Sequence, residues 1–244
     1  MTTNVDEVED DNPQEIENSL TESEYQIVAR HEAMLKDIRS WAFWSLGLGA
    51  LHIISAGFLS APWGLSLLAV GGASFYYRTA PMYVIYGVTL AWAALSNLLG
   101  GEAGWSIFAL LQLFFAYNVF RQYRRFRDVE GAYADIMVDD ADLISGQRAA
   151  RTFPWIAVIL GCGSLVGLGW MFAVILVVTL STGGAAEIPE YVGFLAGLIE
   201  VFGLLGIAFA LAALFSRFRH KATSVIGLIG GSLTVIALLA LALL

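Results

Sequence analysis

Cysteine, proline and histidine are scarce in this chain: one, five and three among 244 residues. The lone Cys162 has no partner for an intramolecular disulfide and rules out a zinc site built on cysteines. The histidines, His31, His52 and His220, are too widely scattered to announce a metal cluster. Positive charge is missing from residues 1–24, which hold nine acids, the reverse of the basic n-region of a secretory signal. The first apolar segment is therefore expected to be a retained anchor. Gly-x-Ser-x-Gly, His-Glu-x-x-His and the P-loop are absent, so no cofactor is implied and a non-enzymatic protein is expected. An inverted repeat of the transporter kind is missing too, because the two halves of the chain differ in composition.

What remains is apolar. The chain is 58% hydrophobic and 14% charged, with a mean hydropathy of +0.70. Most of it falls into runs near the roughly 20 residues a helix needs to cross a bilayer. Seven such runs are readable: 41–59, 62–77, 81–99, 105–120, 153–180, 191–215 and 223–244. The predicted fold is an all-α polytopic membrane bundle in a 4+3 arrangement. The second and fourth runs are short, about 24 Å at 1.5 Å per residue, so thinning of the bilayer or snorkelling flanks is expected there. Pro62 and Pro81 suit first-turn positions, where the missing N–H costs nothing.

Five segments organise the chain: an acidic tail over 1–20, expected to be disordered; an amphipathic cytoplasmic helix over 21–39; a membrane half over 40–120; a cytoplasmic connection over 121–152; and a glycine-rich membrane half over 153–244. Thr21-x-x-Glu24 has the form of a capping box at the head of the amphipathic helix, whose Tyr25, Val28, Met34, Leu35 and Ile38 recur near helical spacing.

Orientation follows from the thirteen bases. Arg30, Lys36 and Arg39 precede the first run, Arg78 follows the second, and Arg121, Arg124, Arg125, Arg127, Arg148 and Arg151 occupy the central connection. Arg217, Arg219 and Lys221 lie between the last two runs. All fall on one side, whereas the opposite loops carry only Glu102, Glu187 and Glu190. The bias of bases toward the cytoplasm predicts an N-terminus inside and a C-terminus outside, in a plasma membrane of bacterial type. Trp41, Trp44, Tyr76, Tyr77, Tyr123 and Trp155 are expected near the inner interface, and Trp63, Trp105 and Tyr191 near the outer one.

Arg121, Arg124, Arg125 and Arg127 alternate with aromatics, superficially as on a nucleic-acid surface. Their place just inside a run predicts an inner-face anchor on anionic lipid instead, and no nucleic-acid partner. Asp135, Asp139, Asp140 and Asp142 lack the pattern of an EF-hand loop and are expected to form a solvated loop. Gly163/Gly167, Gly193/Gly197 and Gly227/Gly231 put one small-residue pair on each late helix, which lets backbones approach closely in lipid.

Glu200 is the one acid within an apolar run, and burying it in hydrocarbon costs at least about 2.5–3.5 kcal/mol. It is expected to face protein on the side of Gly193, Gly197 and Gly203, at a depth matching His52. A Glu200–His52 pair would make a proton or cation site; the structural alternative is a protonated carboxyl in an interhelical hydrogen bond. Asn97, Gln112 and Asn118 are expected to glue helices together. The function expected from these features is association, as an accessory subunit, scaffold or assembly component in contact with membrane lipids and with a protein partner or a second copy. The alternative is a small transporter or channel working at Glu200.

Overall fold

The computed structural model describes residues 21–56, 61–99, 103–136, 141–181, 190–216 and 221–242. Among these the protein is all-helical, with seven helices: α1 (Glu22–Ala56), α2 (Ala61–Tyr76), α3 (Met82–Leu99), α4 (Ala103–Ile136), α5 (Ala141–Ser181), α6 (Glu190–Phe215) and α7 (Lys221–Ala242). Among the described residues three stretches are long and apolar enough to cross a membrane: Gly146–Ser181, Tyr191–Phe215 and Lys221–Leu241. The acidic tail and Asp139 and Asp140 lie outside the described residues.

The amphipathic segment over 21–39 is the first half of α1 and runs unbroken into the first apolar run. Its start uses one side of the expected capping box. Glu24 accepts the backbone N–H of Thr21 at 2.7 Å and also the Thr21 hydroxyl at 2.6 Å. The hydroxyl thus serves the carboxylate, and these bonds hold the Glu24 carboxyl below the ordinary glutamate range. His31 is the first fully buried residue of the helix. Met34, Ile38 and Ala42 are buried on this face, while Tyr25 is exposed.

The turn into α3 is built from three successive i→i+3 bonds, from Met82 N–H to Thr79, Tyr83 N–H to Ala80 and Val84 N–H to Pro81, each 3.0 Å. Pro81 fits here because its own N–H is not required. α4 carries the Arg-rich stretch as part of a single helix extending to Ile136.

α1 packs on α2, α3 on α4, and α1 also on α4, while α5, α6 and α7 pack mutually. α6 joins the two groups, because it meets α2 and α3 as well as α5 and α7. It can take that place because Gly203, Gly206, Ala208, Ala210, Ala212 and Ala213 are all small and buried. The larger core cluster draws on α1 through α6 and gathers toward the end of the molecule that holds the Arg-rich stretch, with Met34, Tyr83, Val119, Phe126, Phe153 and Phe209 in contact. This is the basic end of the molecule. A smaller cluster of Leu168, Met171, Val192 and Ile199 lies between α5 and α6.

The glycine pairs read from spacing meet different fates. A Cβ on Gly227 would come within 2.5 Å of the Ala157 carbonyl carbon, so α5 and α7 touch backbone to backbone there. Gly231 stands against Gly203 and Ile207, and Gly167 against the Ile199 side chain. Gly163 is a correction: it is exposed, with open space where a Cβ would lie. The helix is rotated so that Gly161, two residues earlier, makes the crossing. It sits against Gly227, while a Cβ on Gly206 would meet its nitrogen at 2.7 Å. Gly193 is exposed and Gly197 half-buried. The first hairpin has a close crossing too, where a Cβ on Gly49 would meet the Gly64 carbonyl oxygen at 2.8 Å. Spacing missed it because its glycines lie on different helices.

Candidate functional site

Two places gather polar groups. The first is Glu200 on α6. The Trp92 indole on α3 donates Nε1–H to its carboxylate at 2.7 Å, a bond between the two helix groups. The face Glu200 presents is therefore the α3 side. Gly203, by contrast, packs toward Gly231 and Thr234 of α7, with a notional Cβ 3.3 Å from each. The acid and the glycine serve neighbouring faces of one helix. The His52 side chain lies outside the described residues. Trp92 escaped sequence reasoning because an indole in an apolar run reads as a lipid or core residue. Only its N–H, which needs an acceptor when buried, could have marked it.

Several other polar side chains in the helices are satisfied across or within them. The Ser74 and Tyr86 hydroxyls bond at 2.7 Å, linking α2 to α3. Tyr83 donates to Asp37 at 2.7 Å, linking α3 to α1. Ser164 and Thr234 join α5 to α7 at 2.9 Å. Asn118, expected as interhelical glue, instead donates to the Phe114 carbonyl of its own helix at 2.9 Å. Asn97's side chain is outside the described residues, and Gln112 is half-buried.

The second place is a cavity of about 250 Å³ at the basic end, which sequence reasoning did not foresee. Its wall takes His31 from α1, Thr79 from the α2–α3 turn, Tyr123, Arg127, Glu130 and Tyr133 from α4, with parts of α5 and the end of α6. Residues widely separated in sequence meet here because the α2–α3 turn and the end of α6 lie level with the polar stretches of α1, α4 and α5. The Arg-rich stretch of α4 supplies one side by ordinary helical periodicity. Tyr123, Phe126, Val129 and Tyr133 are buried at i, i+3 and i+4 spacing, while Arg121, Arg124, Arg125 and Arg127 are exposed between them. The Arg125 guanidinium lies 5.4 Å from the Phe126 ring centroid, and Arg127 Nε reaches Asp128 at 3.3 Å.

Inside the cavity wall, His31 is buried and stacks on Tyr133 with ring centroids 3.8 Å apart. Tyr123 donates its hydroxyl to the Phe215 carbonyl at 2.9 Å, tying α4 to the end of α6. Glu130 accepts the Ala80 backbone N–H at a long 3.3 Å. Burial pushes its carboxyl up to about 7, and the Ala80 bond only partly offsets that. Gly146 of α5 stands against the same carboxyl, where a Cβ would meet Oε1 at 2.9 Å. Thr79 is buried, and among the described residues its Oγ1 has no hydrogen-bond partner. Pro154, inside α5, withholds the N–H that would bond the carbonyl of Ala150, itself part of the cavity wall. No group of three or more metal-ligating side chains occurs among the described residues.

Two aromatic placements differ from the expected interfacial belts. Trp44, Tyr76, Trp155 and Tyr191 are exposed, but Tyr123 is buried and Tyr77 packs edge-on to Phe153 at 5.0 Å. Tyr77 faces protein because α5 covers it, and Tyr123 because the end of α6 does, with Phe215 against its ring. No protein-family model matches the chain, and neither a curated protein nor a solved structure matches it.

Proposed function

We propose that the chain crosses the membrane seven times, in a 4+3 order with its N-terminus inside and its C-terminus outside. In this proposal it works by association, as an accessory subunit, scaffold or assembly component of a complex in a bacterial-type cell membrane. The observation that carries the proposal is the Glu200–Trp92 bond. The one acid within the apolar runs is engaged at 2.7 Å in joining α3 to α6, which suits a clasp between helix groups. The wall of the basic-end cavity does not include Glu200, so that opening gives the acid no path to solvent. The hydroxyl bridges between α1, α2 and α3 and between α5 and α7 add to a body held in one arrangement, a fit platform for a partner. The exposed basic residues of α4 would hold it against anionic lipid.

Reconstituting the wild type and Glu200→Gln side by side tests this. The amide oxygen still accepts the indole N–H, so stability should change by less than about 1 kcal/mol. We expect no proton or cation flux in either form, and recovery of the same oligomer or partner at fixed stoichiometry from native membranes. Flux in the wild type that disappears in Glu200→Gln would establish the transporter instead.

A further inference from the structure

The basic-end cavity has a chemistry that helix packing does not require. Glu130 offers a carboxylate with several lone-pair positions, and among the described residues it accepts only the long Ala80 bond. Among the described residues Thr79 Oγ1 is buried without a hydrogen-bond partner. A buried acceptor left unmade costs about 1–3 kcal/mol, so the cavity is suited to an occupant that brings N–H groups. The walls favour a cation: Tyr123, Tyr133 and Phe153 are buried rings, with His31 stacked on Tyr133. A bare divalent metal is a poor match, because Glu130 is the one carboxylate in the wall. Size narrows the choice further. At about 250 Å³ the cavity falls just below the roughly 300–1,000 Å³ of drug-sized sites, which suits a headgroup rather than a whole amphiphile. Arg127, exposed and part of the wall, supplies one positive charge to the same cavity as Glu130 and Thr79.

We propose that the cavity binds an ethanolamine phosphate headgroup, its ammonium held by Glu130 and Thr79 against the aromatic wall and its phosphate by Arg127. The primary ammonium has three N–H donors for the acceptors present, which a choline headgroup lacks. The topology proposed above puts the basic end at the inner leaflet, where the headgroup belongs to a phospholipid; soluble ethanolamine phosphate offers the same chemistry. The titratable and charged groups facing Glu130 are His31 from α1 and Tyr123, Arg127 and Tyr133 from α4. The α2–α3 turn, α5 and α6 contribute uncharged Thr79, Gln147 and Ser216. Since burial sets the Glu130 carboxyl at about 7, an ionised partner for the ammonium becomes more available as pH rises through that value.

The full-length protein in nanodiscs of mixed ethanolamine and choline phospholipids, followed by native mass spectrometry of retained lipid, tests the proposal. Soluble ethanolamine phosphate is titrated by calorimetry in a parallel arm. The expected result is selective retention of the ethanolamine lipid, weakened at least about ten-fold in Glu130→Gln, with more retained at pH 8 than at pH 6. Thr79→Val should weaken it less, and it provides a second variant should Glu130→Gln fail to fold. Selective binding of the soluble phosphate without lipid retention assigns the same site to the soluble source. Equal retention of choline lipid, or undiminished binding in folded Glu130→Gln, overturns the proposal, as does the absence of binding in both arms.

Discussion

At the residue scale, the informative positions are acids in apolar surroundings. Glu200 stands out in sequence because a charge within an apolar run is expensive, and the structure gives that cost a counterpart in the Trp92 indole. Glu130 was invisible by the same logic, since it sits among arginines and aspartates and reads as one more solvated acid. What changes it is burial between the α2–α3 turn and Gly146. The effect on stability has a definite sign. With the folded carboxyl at about 7 against an ordinary 4.5, the folded state holds its proton more tightly than the unfolded chain. The associated stability is fully present below about pH 4.5 and is lost as pH rises through about 7. Glu130→Gln, which keeps an acceptor for the Ala80 N–H, should therefore stabilise the protein at pH 8 by about 1–3 kcal/mol and make little difference at pH 4.5. Thermal unfolding in detergent at the two pH values checks this; equal shifts at both would show that burial of the charge is not the cause.

At the element scale, small residues decide which helices can touch, and rotation decides which small residues count. Glycine pairs mark a close-packing face only if the helix presents them, and α5 presents Gly161 where spacing had picked Gly163. Gly227→Ala forces a methyl against the Ala157 backbone, which cannot move as a side chain tip would, and should cost about 1–3 kcal/mol. Gly163→Ala meets open space and should be neutral or stabilise by up to about 1 kcal/mol, since alanine is the better helix former. Melting temperatures of the two variants, measured together, test the packing of α5 on α7 directly. α4 shows the converse of this limit: its aromatic and basic residues alternate with a period that predicts the buried and exposed faces, and the arginines are exposed accordingly.

At the scale of the whole molecule, α6 holds the bundle together because its small side chains allow neighbours on several sides. The proposed topology has a direct check. Single cysteines in a Cys162→Ser background, placed at Ser23 and at Gln147, should react with an impermeant thiol reagent only in inside-out vesicles. One placed at Glu187 should react only in right-side-out vesicles. Labelling of Gln147 and Glu187 positions from the same face would discard the seven-span order.

The sequence by itself determined the helical class, the three late helices long and apolar enough to cross a bilayer, the clustering of bases and the oddness of Glu200. Each depends on composition or on periodicity along one helix, and hydrophobic length and charge are local properties. Only the tertiary structure decided that Trp92 meets Glu200, that Gly161 rather than Gly163 makes the crossing, and that Glu130, Thr79 and His31 share one cavity. The physical reason is common to all three. A helix's rotation and depth against its neighbours are set by side-chain packing between segments up to 108 residues apart, which no repeat within a single segment encodes.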